Sequence, residues 1–156
     1  MVLASPWRIP PKKKDKICVV FDVAALHDGV SLNSQLRQGS DLRNSLLGVL
    51  LRFRQDPISL VADIERMFNQ VKVPLEDADA FRFLWWEDNN LEQPSEFQMT
   101  THVFGVSDSP SCANFCLKRA AEDNNGNFSE DAVNAVKKDF YEIGRASCRE
   151  RVYVLV

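Results

Sequence analysis

Cysteine is sparse: four in 156 residues, at Cys18, Cys112, Cys116 and Cys148. They match no zinc spacing and no disulfide framework. Cys112 and Cys116 stand four apart, which on a helix is one face and fits a reducing compartment. Histidine is scarcer still. His27 and His102 have no evident partners along the chain and are expected to be structural. No apolar run approaches the ~20 residues of a membrane span. The opening "MVLASPWRIPPKKKDK" is not expected to act as a secretory signal, because its charges follow the short apolar piece, the wrong order for export. Nor is there an excess of one charge. The 19 Lys and Arg face 22 Asp and Glu, a net charge of −3. The whole chain is therefore not a basic nucleic-acid arm, and phosphate contacts would have to come from local clusters.

What is present is the composition of one ordinary globular domain, 45% hydrophobic and 26% charged. Met1 to Asp15 is rich in Pro and Lys, a loose lead-in. "KICVVF", Lys16 to Phe21, is short and β-branched, hence a strand. Asp28-Gly29 is a turn signal. Asp41 can cap a helix through "LRNSLLGVLLRFRQ", with Leu42, Leu46, Val49, Leu50 and Phe53 on one face. "ISLVADI", Ile58 to Ile64, has a buried-strand pattern. "ERMFNQV" and "EDADA" are short helical turns, and "FRFLWW" with "EFQMTTHVF" makes two strands around a hairpin loop. Trp85 and Trp86 should face opposite sides. Ser109-Pro110 opens a helix, with Ser as its cap and Cys112, Phe115, Cys116 and Ala120 behind it. "SEDAVNAVKKDF" is a further helix, acidic early and basic late as the helix dipole prefers. Strands and helices mix without strict alternation, so the fold class is α+β.

Few of these residues suggest chemistry. Asp63 ends an apolar strand, where an acid is costly unless solvated, paired or metal-bound. It is either the cap of the following turn or a metal ligand. Phe68 is either core or the wall of a pocket beside Asp63. "FGVSDSP", Phe104 to Pro110, is either an ordinary helix start or one whose free N–H groups hold phosphate. "KKKDK", Lys12 to Lys16, is a solvated run or a phosphate contact.

In their order along the chain, the stretches "VVFDVAALHDGVSLNSQL", "DLRNSLLGVLLRFRQDPISLVADIERMFNQVKVPLEDADAFRFLWW" and "FQMTTHVFGVSDSPSCANFCLKRAAED", with "VNAVKKDFY", resemble the reverse transcriptase of Pao/Bel-type LTR retrotransposons. The likeness covers roughly Lys14 to Tyr141. It implies a right-hand polymerase fragment, fingers first and palm after, with an incomplete mixed or antiparallel palm sheet packed on helices. It divides the chain into a lead-in (1–15), a partial fingers and palm (16–141) and a tail (142–156). It implies an intracellular Pol polyprotein, packaged in a virus-like particle, that copies an RNA or DNA template-primer from deoxynucleotide triphosphates with two Mg²⁺ ions and no membrane. Such ions want oxygen ligands, which is why the site is built from carboxylates. By position, Asp63 is the first catalytic, metal-binding aspartate and Ile64 offers a backbone carbonyl. Phe68 packs under the incoming sugar and selects deoxynucleotides. Phe104 and Gly105 line the nucleotide, Ser109 and Pro110 the template side, and Lys16 faces the triphosphate.

Two departures stand out. Relatives carry Arg where Cys18 stands in "KICVVFD", and a thiol cannot replace the forked donors of a guanidinium. Relatives also follow "FY" with Val-Asp-Asp, whereas Phe140-Tyr141 here runs into "EIGRASCRERV". That string matches one translated frame of a common sequencing-library adapter, so Glu142 to Val152 is expected to be non-native read-through. Two of three metal-binding acids are then missing, and the chain as written is expected not to polymerise. The rival from another class is a non-catalytic nucleic-acid-binding or protein-interaction module derived from a retroelement.

Overall fold

A computed structural model describes residues 4–8, 18–86, 93–142 and 152–155. Among these residues the fold is mixed α/β, with three small antiparallel sheets and four α-helices. No described helix is long and apolar enough to cross a membrane. The chain divides into two compact units, one of residues 1–38 and 68–109 and the other of residues 39–67 and 110–156.

The first unit begins with a ribbon. Strand β1 (Ala4–Arg8) pairs with β2 (Cys18–Phe21), with an irregularity between Ser5 and Arg8. The stretch expected to be a loose lead-in therefore contains a strand. Asp28 and Gly29 both take positive φ, 50° and 79°, and His27 and Val30 exchange backbone hydrogen bonds across them. This is the two-residue turn that Asp-Gly favours. Ser31 and Ser34 then form a reciprocal cap at α1 (Leu32–Gln35). 3₁₀ turns occupy Met67–Gln70 and Ala78–Phe81. Strands β4 (Arg82–Trp85) and β5 (Ser95–Gln98) form the expected hairpin, though β5 stops well short of Phe104. Trp86 is exposed and Trp85 half-buried, as their alternation requires. The core gathers Val23, Val73, Ala78, Phe81, Val103 and Val106, with Phe21, Leu32, Leu36 and Met99 packed on it. Phe83 continues the packing, with Phe21 at 5.3 Å on its edge and Phe97 stacked at 5.8 Å.

The second unit holds α2 (Leu46–Arg52), β3 (Val61–Ala62), most of α3 (Ser109–Asp123), α4 (Glu130–Lys138), β6 (Phe140–Glu142) and β7 (Val152–Leu155). Three expectations are corrected here. Helix α2 is half the expected length and is capped by Ser45, not Asp41. The Asp41 carboxylate is taken by the Arg43 guanidinium and amide, two residues on. On α3 the buried face is Ala113, Asn114 and Ala121; Phe115 and Cys116 are exposed. "ISLVADI" yields only a two-residue strand, with Ile58, Leu60 and Val61 exposed rather than buried. Helix α4 matches expectation, with Ser129 as cap, Glu130 and Asp131 in its first turn and Lys137 and Lys138 in its last.

The sheet of this unit has the order β3-β7-β6. Both outer strands run antiparallel to β7, so β3 and β6 are parallel with one strand between them. Val154 pairs with Ala62 on one side and Phe140 on the other. Helix α2 packs against β6 and β7, and α4 against β6. Polar clamps hold the α4–β6 corner. Asn44 Nδ2 donates to the Lys137 and Phe140 carbonyls, at 3.1 and 2.9 Å. Arg52 donates to Asp139 and to the Lys138 carbonyl.

Candidate functional site

The two candidate regions are each best described within their own unit. In the second, Asp63 directly follows β3 and is solvent-exposed; Ile64 is half-buried. The register sets Asp63 level with Tyr153 and Tyr141, and Ile64 level with Val152 and Glu142. Because β3 and β6 are parallel, their carboxyl ends lie at the same end of the sheet. Backbone positions on them are two strand spacings apart, about 9.5 Å. Asp63, just past β3, and Tyr141, on β6, are thus neighbours by topology, although they stand 78 positions apart in sequence.

The resemblance implies a pair of Mg²⁺ ions here, and the residues present do not fit them. Among the described residues, no group of three or more metal-ligating side chains includes Asp63. One carboxylate cannot supply the oxygen ligands that two octahedral ions demand.

The second region is the turn from Phe104 to Pro110 in the first unit. Phe68 is buried, and its ring lies 5.7 Å from that of Phe104. The two aromatics singled out in the sequence are therefore brought together, with Phe104 half-buried. Gly105 has φ +93°, and a Cβ there would sit 3.4 Å from Val23 Cγ2 and 3.5 Å from the Phe21 carbonyl. The positive φ is what demands glycine. Asn33, on α1, straps this turn from outside: its Nδ2 donates to the Gly105 carbonyl at 3.0 Å, and its Oδ1 accepts from the Ser107 amide at 2.9 Å. Sequence reasoning passed over Asn33, because a lone Asn in "SLNSQL" carries no signal until its partners some 70 residues on are known.

His102, expected to be structural and without evident partners, acquires partners in the fold. It is buried, with Nδ1 3.2 Å from Ser109 Oγ and 3.8 Å from Asp108 Oδ1. Ser, His and Asp together suggest a nucleophilic triad, but the geometry is wrong for one. Both contacts use the same ring nitrogen, whereas a relay needs one partner on each. Ser109 is fully buried and its single proton goes to the Val103 carbonyl at 3.0 Å. Its oxygen therefore accepts from His102 Nδ1, which fixes that tautomer. Ser109 secures the entry to α3, and Pro110 follows half-buried in its first turn. Asp108 Oδ1 and Ser107 Oγ are buried without a hydrogen-bond partner among the described residues.

Lys16 and the rest of "KKKDK" lie outside the described residues. No family model, no curated protein and no solved structure matches the chain.

Proposed function

We propose that this chain is a fragment of a retrotransposon reverse transcriptase, an RNA-directed DNA polymerase of the Pao/Bel type, and that it does not polymerise as written. The observation that carries the reading is the parallel relation of β3 and β6 across one strand. Asp63 and Tyr141 are level on these two strands, which supports a reading in which the parent's cage of three carboxylates for two metal ions is assembled at that end of the sheet. In this reading β3 and β6 with α2 and α4 belong to the palm, β7 belongs to the tail, and the missing acids directly follow Tyr141. Phe68 against Phe104 is the aromatic wall beside the sugar, and Gly105 lets the backbone turn there. The parent's partners are a template-primer and deoxynucleotide triphosphates, with the remainder of a Pol polyprotein.

The chain's own residues supply part of this. Asp63 offers one exposed carboxylate, Ile64 one backbone carbonyl, and the Asn44 and Arg52 clamps hold the corner that leads into β6. Restoring the acids tests the reading. A variant carrying Glu142→Val, Ile143→Asp and Gly144→Asp should bind Mn²⁺ at least tenfold more tightly than the unaltered chain by electron paramagnetic resonance titration. Adding Asp63→Asn should remove that gain. A restored variant that binds no better, or that ignores Asp63, contradicts the proposal.

The rival reading, an interaction module, draws on a different observation: the apolar side chains that the second unit leaves exposed.

A further inference from the structure

The connection between α3 and α4 holds the one Asn-Gly pair in the sequence, Asn125-Gly126. Both residues are exposed. The Asn127 amide donates to the Asn124 carbonyl at 2.9 Å, which puts Asn125 and Gly126 at the centre of a β-turn. The turn does not require its glycine. Gly126 has no positive φ, and a Cβ there would meet nothing within 4 Å. Nor is the pair tied down. Among the described residues, the Asn125 side chain makes no hydrogen bond and the Gly126 amide finds no acceptor. Other asparagines are held: Asn33, Asn44, Asn69, Asn114, Asn124 and Asn127 each donate a hydrogen bond from the side-chain amide. Asn134 sits within α4, where the helix fixes the amide that follows it.

We propose that Asn125 is a modification site, at which the chain deamidates spontaneously and forms isoaspartate with water as the only co-reactant. The Gly126 backbone nitrogen gives its proton to solvent and attacks Asn125 Cγ. The new N–Cγ bond closes a five-membered succinimide; the Cγ–Nδ2 bond breaks, and the nitrogen leaves as ammonia. Water then adds to one of the two ring carbonyls. Cleavage of the N–Cγ bond gives aspartate. Cleavage of the other N–C bond gives isoaspartate, in which the main chain runs through the β-carbon. The sum is amide plus water to carboxylic acid plus ammonia, with nothing oxidised or reduced. A glycine at the attacking nitrogen carries no Cβ to block the approach and swings most freely into it.

Ring closure requires the turn to open, and little opposes that. The opening breaks the Asn127 amide bond and the contact from Asn127 Nδ2 to Asn124 Oδ1 at 3.3 Å, both at the fraying end of a helix. The product also matters to its surroundings. It adds one negative charge to a chain whose net charge is −3. That charge arrives two residues beyond Asp123, at the negative end of the α3 dipole and beside Glu122 and Asp123. The nearby cations Arg119 and Lys137 are already engaged by Asp123 and Glu122, at 2.9 and 3.1 Å. The modified chain is therefore expected to loosen the last turn of α3. The site is independent of the polymerase reading, because it uses neither Asp63 nor the residues after Tyr141.

The test is ageing of the full folded chain at mildly alkaline pH, followed by trypsin and mass spectrometry of the peptide from Ala120 to Lys137, with fragmentation that separates isoaspartate from aspartate. Asn125 should convert at least tenfold faster than Asn124, Asn127 or Asn134 in the same peptide, and faster as pH rises. Gly126→Ala should slow the conversion at least tenfold without lowering the thermal midpoint. Asn125→Gln, whose cyclisation needs a larger ring, should abolish the product, and it reads the site without touching the glycine. Hydrogen exchange in the aged chain should quicken at the end of α3 and not in β4–β5. Conversion of Asn125 no faster than that of its neighbours overturns the proposal, as does a Gly126→Ala chain that converts at the parent rate. Conversion confined to chain unfolded in urea also overturns it, because the turn then protects the pair.

Discussion

Phe81 and Leu51 are both large apolar side chains, and the two units treat them differently. Phe81 is 6% exposed within a cluster that Val23, Val73, Val103 and Val106 complete. Leu51 is 60% exposed, one of four such leucines on a seven-residue helix. The first unit closes its core with its own residues. The second buries Val49, Ala113, Ala121 and Val133 and leaves a broader apolar face uncovered. An apolar stripe therefore records that burial is needed, not that this chain supplies the cover.

The contrast can be broken most forcefully at Phe81. Phe81→Ala should cost the first unit about 3–5 kcal/mol, whereas Leu51→Ala should change monomer stability by less than ~0.5 kcal/mol. Paired urea titrations check this, and similar losses for the two would erase the distinction. The second unit's weight rests more on polar clamps. Asn44→Ala removes both amide donors from the Lys137 and Phe140 carbonyls and should cost about 1–3 kcal/mol. Hydrogen exchange should then quicken in β6 and α4 but not in β4–β5; a uniform change across the chain would count against separate units.

Smaller effects follow at local features. Ser129 accepts from the Ala132 amide at the start of α4, so Ser129→Ala should cost about 1 kcal/mol, read from a thermal melt. At Asp41 the effect is confined to acid. The Arg43 hydrogen bonds, side chain first and backbone second, hold its carboxyl down at about 2, below the ~3.9 of a free aspartate. A depressed folded value means that the pair's contribution is complete above pH ~4 and disappears as pH falls through 2. An NMR titration of Asp41 should show that midpoint, and Arg43→Ala should move it up toward the free value.

How much of this was legible beforehand depends on how local the cause is. The turn at Asp28-Gly29 needs only its own two residues to reach positive φ, and it appears where the dipeptide stands. Helix α4 carries its cap, its early acids and its late lysines within ten residues, Ser129 to Lys138. Expectations failed where the deciding partner was elsewhere. Asp41 lost its capping role because Arg43 competes for the carboxylate. The face of α3 was misassigned because Cys112, Phe115 and Cys116 look apolar, while Ala113 and Ala121 are the residues that pack. "ISLVADI" has the composition of a central strand, but its side chains are buried only where layers cover both faces of the sheet, and Ile58, Leu60 and Val61 stay exposed. His102 has no partner beside it along the chain, and Asp108 and Ser109 reach it only once the turn is formed. At the candidate site, the acid at the end of β3 was legible as an exception to its apolar run. That the segment around Tyr141 lies beside it was implied only by the resemblance, since no local pattern relates the two stretches; the β3-β7-β6 order sets Tyr141 level with Asp63.

The polymerase reading turns on what belongs after Tyr141, and the source DNA answers that directly. Long reads spanning the Tyr141 codon should pass from "DFY" into codons for Val-Asp-Asp, leaving Glu142 to Val152 without a genomic counterpart. Unbroken genomic coverage through the codons for "EIGRASCRERV" would contradict it.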